Sequence, residues 1–183
     1  MPWTPIPAGV KTYALVVMGY HAGDLFTHAF VLERTDAFVE MLLHHACTFF
    51  LFGIMICVNI MGIGCLITFL HDLSEVPVSL IKMFVNTPYN SLSLVSFFSL
   101  LVVWIYTRNY VFVIWTYESW MGCGFTEPEL DQFHFIFWFA NSMNVILCIL
   151  HYYWLALFFN MFLMFKKSGV TTDTQSLKSK KEQ

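Results

Sequence analysis

The sequence predicts an all-α, polytopic membrane helix bundle of about five transmembrane helices. Three observations carry that prediction. Hydrophobic residues fill 58% of the 183 positions and charged residues only 11%, whereas soluble domains run near 25% charged. The apolar residues fall in long unbroken runs, each about the 20 residues a helix needs to cross a bilayer. The alternation of a membrane β-barrel strand is missing, which leaves helices as the elements that satisfy their own backbone in lipid.

The same composition excludes other classes. At 19% aromatic the chain is too rich in large apolar rings for disorder. A net charge of -3, from 9 Lys+Arg against 12 Asp+Glu, excludes a basic nucleic-acid-binding protein. The five cysteines, Cys47, Cys57, Cys65, Cys123 and Cys148, are odd in number and four lie in apolar runs. They read as reduced core thiols, with no zinc-finger spacing among them.

The first span is expected over Tyr13–Leu32 and carries His21, Asp24 and His28. The second is Met41–Ile60, entered through His44 and His45. The third runs from Gly62 to about Met83 and holds His71, Asp72 and Glu75, with Pro77 expected to kink or end it. The fourth is Leu92–Trp115, with Arg108 inside it. The fifth, Phe133–Phe165, exceeds one straight crossing and is expected to project from the bilayer. Between them lie Glu33-Arg34-Thr35-Asp36, Asn59–Gly62, Asn86-Thr87-Pro88 and Met121–Asp131, each with residues that end helices. Residues 1–10 read as an N-terminal segment, 11–165 as the transmembrane domain, and 166–183 as a polar, basic C-terminal tail.

Lysine and arginine set the orientation. With the C-terminus in the cytosol, Arg34, Lys82, Lys166, Lys167, Lys178, Lys180 and Lys181 are cytosolic, and only Lys11 and Arg108 are not. The loop with Glu118, Glu127, Glu129 and Asp131 then faces the other side. Lys180-Lys181 near the end resembles a dilysine retrieval signal, which places the protein in the endoplasmic reticulum. The same charge logic puts the tail in the matrix if the membrane is the mitochondrial inner one.

Ionisable groups inside a bilayer are expensive, and each is a functional hypothesis by default. The sharpest set is split over two helices. On the second, His44 and His45 share a flank with Thr48, four and three residues on. On the third, Asp72 and Glu75 are three apart, and His71 and Glu75 four apart. The paired histidines lie about 5 Å inside the cytosolic boundary and His71 about 15 Å from the far-side start of its helix, at 1.5 Å per residue. Two polar stripes at those depths are expected to meet in one site reached from the cytosol. Imidazole acts as base or nucleophile near neutral pH, and a carboxylate beside it fixes its tautomer. That assembly suits acyl transfer. Arg108 is expected to pair with an acid, or to meet a phosphate or pantetheine group. His21, Asp24 and His28 share one helix face and read as packing or cavity lining; multi-histidine metal motifs are absent, and no metal is expected.

At these residues the sequence resembles the TLC-domain superfamily, and within it the ceramide synthases. The matching positions are Arg34 and Asp36, His44-His45, Thr48, Asn59, Gly64, Leu70-His71-Asp72, Ser74, Lys82-Met83, Thr107-Arg108, Phe139-Ala140-Asn141-Ser142-Met143 and Leu150-His151-Tyr152-Tyr153-Trp154. Where the family has Ser-Asp, this chain has Ser74-Glu75. The resemblance implies a six-helix barrel, here incomplete because the chain starts after the family's first helices. It implies transfer of a fatty acyl group from acyl-CoA to a sphingoid-base amine. His44, His45, His71 and Asp72 would be catalytic, and Thr48, Asn59, Ser74, Glu75, Lys82 and Arg108 would meet substrate. No cofactor is implied beyond acyl-CoA as co-substrate. The expected partners are membrane lipids and another membrane protein, lipid or folded-back segment covering the gap left by the missing helix. The competing expectation is a non-catalytic, TLC-derived structural or lipid-binding subunit of a large membrane complex, such as a respiratory or ATP synthase assembly.

Overall fold

A computed structural model describes residues 5–34, 37–84, 90–122 and 134–168. They form α1 (Ala8–Phe30), α2 (Phe38–Cys57), α3 (Met61–Phe84), α4 (Asn90–Trp104), a π-helical segment (Ile105–Val111), α5 (Phe112–Trp120) and α6 (His134–Ser168). No strand occurs among the described residues, and the fold is the all-α membrane bundle the composition predicts. Four helical stretches among the described residues are long and apolar enough to cross a membrane: Phe38–Cys57, Met61–Phe84, Ser91–Trp120 and His134–Lys166. The expected first span also forms, as the 23 residues of α1. Its Lys11, His21, Asp24 and His28 leave it less apolar than the other four. The tail beyond Ser168 and most of the acidic loop lie outside the described residues.

Local chemistry sets the boundaries. Pro7 precedes α1, and its carbonyl accepts from Val10 and Lys11 at 3.0 and 3.2 Å. Proline supplies a fixed φ at a helix start, where its missing N–H costs nothing. Between α2 and α3, Asn59 takes a positive φ of 61°. The Asn59 N–H donates to Ile56 and that of Ile60 to Met55, at 3.2 and 2.9 Å. Those two bonds make a Schellman cap, and Asn is one of the few residues that tolerates its left-handed position. Pro77 stands inside α3, which runs on to Phe84; the proline does not end the helix. α6 has 35 residues, about 52 Å at 1.5 Å each, well beyond the roughly 30 Å hydrocarbon core. It is long enough to project, as expected.

The fourth span departs from a plain α-helix. Leu100, Trp104, Arg108, Phe112 and Thr116 are all buried, at a strict interval of four residues. In an α-helix a four-residue step overshoots a full turn by about 40°, so this line would wander off its face. The wider π turn over Ile105–Val111 rotates less per residue and takes that drift back.

The chain divides into two compact units, Met1–Phe69 with Phe112–Leu150, and Leu70–Val111 with His151–Gln183. The first has an apolar core of Ala14, Val17, Phe52 and Met61, with Ile6, Val10, Met18, Ile56 and Cys65 against it. Gly64 lets α3 approach α2, because a Cβ there would lie 2.5 Å from the Met55 sulfur. Between α5 and α6 of this unit runs a polar seam, in which Ser119 donates to Asn141 at 2.9 Å and Cys148 to Thr116 at 3.6 Å. In the second unit Trp104 meets Trp154 and Phe158 edge-on at 6.0 and 4.9 Å. Its indole N–H donates to the His151 carbonyl at 3.2 Å.

Candidate active site

The histidines of α1 and α2 gather where the two helices meet. The two helices are joined by a short connection, so the end of α1 faces the start of α2. His28 is buried there, and its Nε2–H donates to the Phe38 carbonyl at 3.0 Å. A carbonyl only accepts, so this bond fixes the His28 proton on Nε2. The His28 ring stacks on Phe38 at 4.9 Å and lies 5.4 Å from the His45 ring. His44 and His45 are 5.6 Å apart, ring to ring. His21 packs near Phe52 at 6.1 Å, within electrostatic reach of Asp24 and His45. The Thr48 hydroxyl donates to the His44 carbonyl at 2.9 Å, the back-bond a helix offers Thr. The paired histidines therefore have the histidine face of α1 as their neighbour, and single-helix spacing gave no sign of that meeting.

The second unit is built around Arg108, which is only 3% exposed. Its Nε–H and Nη2–H both donate to the Ser74 hydroxyl, at 3.1 and 2.7 Å. Nη2 also donates to the His71 carbonyl at 3.2 Å and pairs with Glu75 at 3.5 Å. Nη1–H donates to His151 Nε2 at 3.4 Å, and the guanidinium lies 4.2 Å over the Trp104 ring. Ser74, fully buried, passes its own proton to the His71 carbonyl at 2.7 Å. A buried cation is tolerable only when paired and hydrogen-bonded in this way, and the aromatic face adds to it. The expected pairing of Arg108 with an acid is met by Glu75.

Residues 1–160 match the family model of the TLC domain. The chain belongs to the TLC-domain family. Among curated relatives it is similar to ceramide synthase hyl-2 of Caenorhabditis elegans, with 25% identity over 95% of this chain and 55% of the relative. Ceramide synthase 4 of Bos taurus is 28% identical over 97% of this chain and 46% of its own length. Ceramide synthase 4 of Mus musculus is 30% identical over 87% of this chain and 39% of its own length. The chain thus spans about half the length, or less, of these relatives. No solved structure matches it.

In this TLC-domain chain the expected site residues divide between the units. His44, His45, Thr48 and Asn59 belong to the first; His71, Asp72, Ser74, Glu75, Lys82 and Arg108 belong to the second. Within the second, Ser74, Glu75, Arg108 and the His71 backbone are drawn together. Asp72 is exposed on the same turn, within electrostatic reach of Glu75 and Arg108. Lys82 is exposed two turns further on. Asn59 shapes the α2–α3 cap. Sequence reasoning named His151 only within the family's last-helix match, and gave neither it nor Trp104 a role. His151 is fully buried, and its ring lies 5.2 Å from the His71 ring. Its signal was there: an imidazole in an apolar span carries the same cost that singled out His71.

Proposed function

We propose that this protein is a ceramide-synthase-like N-acyltransferase, moving a fatty acyl group from acyl-CoA to the primary amine of a sphingoid base. The observation that carries the reading is the anchorage of the His71–Glu75 turn by Arg108. A buried guanidinium holds the His71 carbonyl and the Ser74 hydroxyl, and so presents His71 with the carboxylates of Asp72 and Glu75 on one fixed turn. Fixed geometry is what acid–base work requires. The family resemblance of this turn and of the His44-His45 pair supports the same assignment.

In this reading an imidazole of the His44-His45 pair works at the acyl carbonyl. As nucleophile, its neutral nitrogen attacks the thioester carbon, the C–S bond breaks, and CoA leaves as the thiol after taking a proton. The amine then attacks the acyl-imidazole carbon, forms the amide, loses its proton and frees the ring. As base, the same ring instead takes the amine proton while the amine attacks the thioester directly. The family resemblance gives Asp72 a catalytic role as well.

The test is an assay of the purified protein in lipid with acyl-CoA and a long-chain base. His44→Ala and Asp72→Ala should each lower turnover at least ~100-fold while the protein still inserts and folds. No turnover in any lipid environment, with the histidines dispensable in the cell, overturns the reading and leaves a structural or lipid-binding role.

A further inference from the structure

Arg108 is engaged on every nitrogen within the protein, and the group at its Nη1 is one to which the sequence gave no role. The guanidinium has Ser74 and the His71 carbonyl on one side, Glu75 at its edge, Trp104 beneath it and His151 at Nη1. The Ser74 hydroxyl uses its one proton on the His71 carbonyl and accepts twice from Arg108. An arginine only donates, so the contact at 3.4 Å obliges His151 to accept through Nε2. The ring is therefore the neutral tautomer with its proton on Nδ1. A protonated ring would point an N–H at a cation inside the bundle. The His151 ring also lies 5.2 Å from the His71 ring, tilted by 46°. His151 thus touches both the side chain of His71 and the cation that holds the His71 backbone.

We propose that His151 is a positioning residue for the His71-Asp72 turn, acting as the obligatory neutral acceptor that sets Arg108 and, through it, the orientation of His71. This rests on the acyltransferase reading for its kinetic consequence, though not for its geometry. The helix architecture supports it. Arg108 reaches this face from the π-helical turn, and Trp104 one turn earlier donates to the His151 carbonyl at 3.2 Å. Both ends of His151, backbone and ring, are held by the same helix. A ring present only to fill space would not need the bond to Arg108.

The distinction between acceptor and filler is open to experiment. Gln at position 151 retains an acceptor oxygen near the place of Nε2 but loses the ring. Phe keeps the ring but cannot accept. If His151 is the acceptor, His151→Phe lowers kcat roughly 10- to 100-fold, the range a small misplacement of a reacting group commands. KM for acyl-CoA stays unchanged, and His151→Gln recovers most of the loss. If the ring is packing alone, Phe is the better replacement and Gln the worse, and the proposal is overturned. A second readout needs no turnover. Carbethoxylation of His71 by diethyl pyrocarbonate, followed by peptide mass, should change at least about threefold in the Phe variant and return to the wild-type rate in the Gln variant; equal rates in all three overturn the proposal. Should the wild type show no acyl transfer, the functional reading fails and this labelling decides His151 by itself. Should His151→Phe fail to fold, Ser74→Ala removes another acceptor of Arg108 and should shift His71 labelling in the same way; an unchanged rate there also overturns the proposal.

Discussion

Around α1 and α2 the polar side chains meet mostly ring to ring, at 5.4 Å for His28 and His45 and 5.6 Å for His44 and His45, beside an apolar core of Ala14, Val17, Phe52 and Met61. Around Arg108 the arrangement is reversed. A cation is the centre, held by the Ser74 hydroxyl, the His71 carbonyl, Glu75 and His151 and lying over the face of Trp104. The first unit can lose a polar contact and keep its core, whereas the second has its polar contacts as its core. Buried polar networks are most costly when half satisfied, so the two units should respond very differently to single substitutions.

The largest expected effect is at Arg108. Arg108→Met removes the guanidinium donor from the Ser74 hydroxyl and from His151 Nε2, and one of the two side-chain donors from the His71 carbonyl, which keeps the Ser74 hydroxyl. Hydrogen bonds between membrane helices are worth about 0.6–2 kcal/mol each, and orphaned groups cost more than the bond. Glu75 is 63% exposed and adds little of its own. The loss should total about 2–4 kcal/mol, measured by reversible unfolding in mixed micelles. Arg108→Lys should recover only part of it, since an ammonium cannot fork to Ser74 and also reach His151. A loss near zero for Arg108→Met would erase the contrast between the units.

The next effect tests the apolar unit by its own logic. Gly64→Ala places a methyl 2.5 Å from the Met55 sulfur, with the Met55 Cβ and Cγ at 3.5 and 3.6 Å. Met55 is buried, so its thioether has to move within a filled core, at about 1–2 kcal/mol. Combining the change with Met55→Ala should cost less than the sum of the two, because the second makes room for the first. Strict additivity in the same unfolding measurement would show that the helices do not approach at this glycine.

A smaller effect is expected at His28. Its bond to the Phe38 carbonyl supplements an acceptor that already sits in the first turn of α2, so His28→Phe should cost only about 0.5–1 kcal/mol. The stack on Phe38 is retained. A loss as large as that at Arg108 would mean that the histidine cluster, too, is a structural core.

These contrasts mark what was legible in the sequence. The spans were legible because apolar runs have a required length, and the pairing of Arg108 because a cation in such a run has to be neutralised. Glu75, one helix turn past His71, was the available acid. The meeting of His28 with His45 was not legible, because periodicity fixes the faces of each helix and leaves the register between two helices open. The π-helical segment left a mark only in the four-residue interval of Leu100, Trp104 and Arg108. That interval reads as an ordinary helix face until it is followed for several turns. Lys82 and Asp72 stand exposed, although the resemblance named them as site residues beside the buried Ser74.

The smallest expected effect is at Asn59, and it separates a cap from a substrate contact. Its φ of 61° and the two bonds that close the α2–α3 turn account for an asparagine at this position without any ligand. Glycine meets the left-handed conformation at no steric cost. Asn59→Gly should therefore leave unfolding within a few tenths of a kcal/mol of wild type. Asn59→Val puts a β-branched residue where L side chains are strained, and should cost about 1–2 kcal/mol. In the acyl-transfer assay the Gly variant keeps its KM for both substrates if Asn59 serves the turn alone. A KM raised by the Gly change, with stability intact, would instead assign the carboxamide to substrate and place a binding surface at the end of α2.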